Sequence, residues 1–130
     1  MYYILLIIFG ILGALARYSL QLLLYNPDFP LATLMINLLG CFLLAVVTQF
    51  LIWVPFLTAR TVSAIGTGFV GSFTTFSTFT LETFQLLQTG RYMTAIGYLL
   101  ISSFGGLAAC TLGLQMSKYF LKKGRSVNAR

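Results

Sequence analysis

The chain has 130 residues, 58% of them apolar and only 8% charged, with a net charge of +6; soluble domains carry about 25% charged residues. That balance excludes an ordinary soluble globular protein, which needs a charged surface, and a disordered chain, which needs low hydrophobicity. With no histidine and two carboxylates, Asp28 and Glu82, the chain also lacks the parts of a histidine triad, a histidine metal centre or a paired-carboxylate hydrolase, so no enzyme is expected, and a small single-domain integral membrane protein remains.

Charged side chains cut the sequence into spans. None occurs in residues 1–16, 29–59, 61–81 or 92–117. A membrane-crossing helix needs about 20 apolar residues. Four are expected, at about 2–24, 31–54, 59–88 and 92–120, forming one all-α transmembrane domain over residues 1–120 with a basic tail at 121–130. The first span has neither the positive leader nor the small-residue cleavage site of a signal peptide, so it reads as a retained helix. Asn26-Pro27-Asp28-Phe29-Pro30 is turn chemistry after it. Pro55 with Arg60, and Gly90 with Arg91, separate the later spans. Tyr2, Tyr3, Trp53 and Tyr119 fall near span ends, where interfacial aromatics sit. Cys41 and Cys110 lie inside spans two and four without a paired framework, and read as buried small hydrophobes. Five of the eight basic residues lie in the last thirteen positions. That is the pattern of a cytoplasmic end near anionic lipid, not of a nucleic-acid surface.

Each span offers candidates. In the first, Arg17 could draw anions into a vestibule or simply snorkel to the interface. In the second, Asn37 is either interhelical glue or a pair of N–H donors for an anion. The third holds the least lipid-like stretch, Gly-Thr-Gly-Phe-Val-Gly-Ser-Phe-Thr-Thr-Phe-Ser-Thr-Phe-Thr-Leu-Glu over 66–82, with nine consecutive Ser, Thr and Phe at 72–80. Glycine and β-branched threonine weaken a helix. A break there survives in a membrane only if it is buried, lines water or binds an ion, and near 71–75 it would suggest an ion site of backbone oxygens. The plainer alternative is that the hydroxyls bond back to the preceding turn and the helix only bends. Phe76 and Phe79, three apart, share a helix face, and their positive ring edges could sit beside an anion without holding it too tightly. Glu82 is either an intramembrane functional carboxylate or an interfacial residue near a helix end. In the fourth span, Gly105, Ala109 and Gly113, and Ser102, Gly106 and Cys110, form small-residue rows for close packing. Tyr98 and Ser102, one turn apart, could extend a polar track.

These motifs together resemble the CrcB/Fluc fluoride channels, small four-span bacterial membrane proteins. The resemblance covers residues 1–118. It rests on Gly10-x-x-Gly13-Ala-x-x-Arg17-Tyr18, on Thr33-Leu-x-x-Asn37-x-x-Gly40-Cys-Phe-Leu-Leu, and on Gly71-x-x-Thr74-Thr-Phe-Ser-Thr-Phe79 followed by Glu82. It implies passive exit of fluoride from the cytoplasm through the bacterial inner (plasma) membrane, with the third helix broken near its middle. It further implies an antiparallel, dual-topology dimer with two pores and a structural sodium ion at its axis. Carried onto this sequence, the Gly71 and Thr74 carbonyls would hold the sodium, and Arg17 would sit in the vestibule. Asn37, Thr75, Phe76, Ser77, Phe79, Glu82, Tyr98 and Ser102 would line the fluoride path. Where many relatives read Gly-Gly-Leu-Thr-Thr-Phe, this chain has Ser72 and Phe73 in Gly71-Ser-Phe-Thr-Thr-Phe76.

Two other classes compete. A small proton-coupled multidrug exporter would want a carboxylate early in the first span, which has none. A non-transporting assembly subunit leaves the hydroxyl-rich break without a purpose. Charge also bears on topology. The face with the termini and the 55–60 loop carries six Lys and Arg, and the other face carries two, Arg17 and Arg91. That bias favours cytoplasmic termini, whereas without the five tail charges the count is one against two. A dual-topology homodimer is the expectation, with an oppositely oriented paralogue as the alternative.

Overall fold

The computed structural model describes residues 2–49, 51, 54 and 57–128, with side chains through Lys122. Trp53, Pro55 and Arg130, and the side chains of Lys123 and Arg125, lie outside the described residues. The described residues are helical and contain no strand. Helices α1 (Tyr2–Leu23) and α2 (Leu31–Gln49) are followed by α3 (Ala59–Ser63), a π-helical stretch (Ala64–Val70), the single turn α4 (Gly71–Phe73), α5 (Phe76–Gln88) and α6 (Tyr92–Asn128). Among the described residues three helices are long and apolar enough to cross a membrane: α1, α2 and the Tyr92–Lys122 part of α6.

Local chemistry sets the boundaries. The Asn26 side chain accepts from the amides of Asp28 (2.8 Å) and Phe29 (3.2 Å), closing an Asx turn after α1. The Pro30 carbonyl then accepts from Leu34 N–H at 3.2 Å, where proline fits a helix start. Thr58 caps α3 by accepting from Thr61 N–H at 3.2 Å. In the π stretch, Gly71 N–H reaches back five residues to Gly66 O as well as to Gly68 O. The Gly66-Thr67-Gly68 sequence has little preference for a regular helix. At the α5–α6 link, Gly90 adopts φ +74°, in the region glycine enters without a side-chain clash. Gly90 N–H bonds to Leu87 O at 3.1 Å and Arg91 N–H to Leu86 O at 2.9 Å, a Schellman turn that fixes where Arg91 leaves the helix. At its far end α6 runs past residue 120, through Asn128, into the segment expected as a tail. Lys122 and Lys123 are good helix formers and no proline follows Tyr92 to stop it.

Helix α2 is central. It packs along α6, whose small residues admit it: Gly105 faces Leu38, Gly106 faces the Cys41 sulfur, and Gly113 faces Phe42 and Ala45. The small-residue rows therefore serve this seam. Helix α1 lies against the π stretch and α4, and α5 lies against α6. One apolar cluster, Leu34, Leu86, Ala95 and Tyr98 with Phe29 and Phe79 against it, joins α2, α5 and α6. A second, Val47, Val62 and Val70, lies toward the other end of α2. Both cysteines are free.

The burial pattern predicts a contrast on α2. Ile36 is fully buried, and Ile36→Ala should lower stability by about 2–5 kcal/mol, the range for truncating a core Ile. Its neighbour Met35 is 47% exposed, and Met35→Ala should cost under about 1 kcal/mol. Thermal unfolding of the detergent-solubilised variants measures both.

Candidate functional site

Between α4 and α5 two residues leave the helix: Thr74 (φ −78°, ψ 158°) and Thr75 (φ −148°, ψ 119°) are both extended. Backbone polar groups away from water need partners, and α2 supplies them. Thr75 N–H donates to Asn37 Oδ1 at 2.9 Å, and Asn37 Nδ2 donates to Thr75 O at 2.9 Å. One side-chain amide thus pairs with both polar groups of one residue, as a neighbouring strand would. Asn37 thus ties α2 to the backbone of the break.

This pairing changes the accounting on both sides of the break. In a continuous helix Thr75 N–H would bond to Gly71 O and Thr78 N–H to Thr74 O. Here Thr75 N–H is spent on Asn37, and Thr78 N–H bonds at 3.2 Å to the Thr75 hydroxyl, which caps α5. Both carbonyls are thereby released from the helical ladder. The Thr75 hydroxyl donates onward to Thr78 Oγ1 at 2.9 Å and lies 3.3 Å from Ser77 Oγ. Other hydroxyls of the run do bond back one turn, Thr74 to Val70 O, Thr80 to Phe76 O and Thr83 to Phe79 O. Gly40, one helical turn beyond Asn37, lies under Thr74, and a Cβ there would collide with the Thr74 methyl group. Asn37, Gly40, Gly71, Thr74, Thr75 and Phe76 line an open groove of about 320 Å³. Phe73 is buried beside the break and stacks on Phe69 at 6.0 Å, while Ser72 approaches Gly10 of α1.

From the break an aromatic line leads to the interior carboxylate. The Phe76 and Phe79 rings are 6.0 Å apart, and Phe79 lies 5.1 Å from Tyr98. Phe76 is largely exposed on the single chain, and Ser77 beside it is exposed too. The fully buried Tyr98 donates its hydroxyl to Glu82 Oε2 at 2.9 Å, and Thr33 donates to Oε1 at 2.8 Å. Glu82 is not a residue of a frayed end; it sits inside α5 with each oxygen bonded to a different helix. One turn beyond Tyr98, the Ser102 hydroxyl oxygen is buried with no hydrogen-bond partner among the described residues. Such a hydroxyl costs about 1–3 kcal/mol unless something else meets it.

The structure thus gathers Asn37 with Gly71, Thr74 and Thr75, and Phe76 with Phe79, Tyr98 and Glu82. Arg17 stays apart on α1, which faces the π stretch and α4 rather than the carboxylate. Thr33, the second donor to Glu82, was absent from the expected site. Its signal was present: Thr33 and Asn37 are four apart and so share a helix face.

The clamp predicts that Asn37→Ala leaves the Thr75 N–H unpaired and removes one of two donors from the Thr75 C=O, which as the N-cap carbonyl still accepts the first helical bond of α5. At about 1–3 kcal/mol for one buried unsatisfied group, stability should fall by about 1–3 kcal/mol. Asn37→Asp should lose less, since a carboxylate still accepts from Thr75 N–H but donates nothing to Thr75 O. Thermal unfolding of the purified protein ranks the two.

Known proteins match nearly the whole chain. The family described as "CrcB-like protein, Camphor Resistance (CrcB)" matches residues 4–114. A Listeria innocua protein named "Fluoride-specific ion channel FluC 2" is 45% identical over 124 residues, covering 95% of this chain and 96% of its own. A Bacillus cereus protein named "Fluoride-specific ion channel FluC 1" is 48% identical, covering 93% of this chain and 90% of its own. With three helices able to cross a bilayer and relatives of this kind, the chain is a multi-pass protein of the bacterial cell membrane. It is a member of the CrcB-like family.

Proposed function

We propose that this protein is a fluoride-selective passive channel, not an enzyme, through which fluoride leaves the bacterial cytoplasm. It works as an antiparallel dimer with two pores. Residues 59–88 are taken as the third of four membrane crossings, interrupted at Thr74 and Thr75. The observation that carries the reading is the Asn37-clamped break beside the Phe76–Phe79 pair, in a chain whose relatives are named fluoride-specific ion channels.

Fluoride is small and strongly hydrated, so a path for it must replace water with donors without binding tightly. The residues in hand suit that demand. Phenyl edges at Phe76 and Phe79 offer weak positive potential. Beyond them stand the hydroxyls of Tyr98, Thr33 and the unpartnered Ser102. Glu82 accepts from two of these hydroxyls and so stands where an anion would be bound; a passing fluoride competes with it for the same donors. Thr75 and Ser77 add hydroxyls at the start of α5. Arg17, on α1 and apart from this cluster, suits a vestibule role.

The break fits a structural sodium ion. Gly71 and Thr74 each present a neutral carbonyl freed from the ladder, and two chains would contribute four such oxygens to a hard cation. Among the described residues no group of three or more His, Cys, Asp and Glu could hold a metal ion instead. The ion would join the subunits and would not be transported.

Purified chain alone in liposomes should pass fluoride down its gradient without a proton gradient, and chloride should not follow. Phe76→Ile or Phe79→Ile should cut fluoride flux about tenfold or more while the protein still elutes as a dimer, because each swap keeps apolar bulk and removes the ring edge. Strict dependence on a proton gradient would make the protein an exchanger. Normal conduction by both variants would remove the ring-edge role.

A further inference from the structure

A second cavity lies on the face that carries the α1–α2 loop. It encloses about 280 Å³, and its lining includes Asp28, Phe29, Glu82, Gln85, Thr89 and Arg91. Both acidic residues of the chain and one of its eight basic ones therefore converge on one opening. The walls are built rather than incidental. The Asx turn at Asn26 shapes the loop, and the Phe29 ring packs edge-on to Tyr98 at 5.7 Å and 80°. The Schellman turn at Gly90 fixes the Arg91 backbone in the lining. Glu82 in the lining is held by Tyr98, whose ring is 5.1 Å from Phe79. Glu82 therefore belongs both to the cavity lining and to the Tyr98–Phe79 aromatic cluster.

On the channel reading above, we infer that this cavity is the mouth of the ion path on the α1–α2 loop face, and that Arg91 is the group that draws the anion into it. The argument is electrostatic. Asp28 and Glu82 both repel an approaching anion, and among the described residues Arg91 is the one cationic side chain in the lining. Its guanidinium presents N–H donors to an ion that must shed water. Arg91 is exposed, so its attraction is solvent-screened and releases the ion readily. Asp28 in the same lining weakens that attraction further. Charges at a mouth raise the local concentration of the permeant ion and act on its entry rate, an effect that fades with salt.

The test is fluoride flux from liposomes holding purified wild type, Arg91→Gln, Arg91→Lys or Asp28→Asn, each checked for native elution. Fluoride is kept constant and ionic strength is set with the salt of an impermeant organic anion. Arg91→Gln should lower flux about threefold or more at about 0.01 M, where the Debye length is about 30 Å, and by less than about 1.5-fold at about 1 M, where it is about 3 Å. Arg91→Lys should recover most of the loss, and Asp28→Asn should raise flux at low salt. Equal loss at both ionic strengths, no loss at either, or Asp28→Asn moving in the same direction as Arg91→Gln would overturn the mouth. A wild type that passes no fluoride would instead overturn the channel reading on which the mouth rests.

Discussion

Everything distinctive about this small bundle hangs on one side-chain amide. A helix interrupted within hydrocarbon leaves donors and acceptors that lipid cannot satisfy, at several kcal/mol for each group. Asn37 meets both polar groups of Thr75 at 2.9 Å, and so pairs the backbone of the extended step between α4 and α5. The same two bonds divert the amide that would otherwise have closed on Gly71. The hydroxyl of Thr75 then diverts the amide owed to Thr74. A clamp on one residue thus frees two carbonyls just before α5, which starts with Phe76 and Phe79.

Helix α2 is the platform for this arrangement. Thr33, Asn37 and Gly40 recur at four and three residues, a single helical stripe. Thr33 holds the interior carboxylate, Asn37 holds the break, and Gly40 makes room for Thr74. The stripe must stand at a fixed height against α5 for all three contacts to form. The close seam between α2 and the glycines of α6 provides that rigidity. Packing that looks merely structural is in this way coupled to the polar groups of the site.

The carboxylate illustrates a related constraint. An acidic group inside a membrane protein is expensive unless bonded. Glu82 is met by two hydroxyls rather than by a cation, since Tyr98 and Thr33 donate to its two oxygens. Neutral donors leave the surroundings free of a fixed positive charge that would trap an anion. The cavity that Glu82 lines also holds Arg91, an exposed cation that solvent screens.

Much of this was legible in the sequence because it depends on composition along the chain. The spacing of charges marked the apolar spans, and Asn26 to Pro30 and Gly90-Arg91 marked two links, since a bilayer excludes charge and turns need particular residues. The Gly, Ser, Thr and Phe run at 66–82 pointed to the region of 71–75 because those residue types stabilise a helix poorly. What no linear pattern could supply were the partners. Asn37 meets Thr75 across 38 positions and Thr33 meets Glu82 across 49, and such pairings are decided only when helices acquire a common height and rotation. The sequence left Asn37 divided between glue and anion donor, and it could not say that the hydroxyl of Ser102 would be buried alone or that Asp28, Glu82 and Arg91 would share one cavity. Local chemistry determined where this chain enters, leaves and interrupts its helices; tertiary packing alone decided which polar groups face one another, because hydrogen bonds act over about 3 Å and carry no memory of separation along the chain.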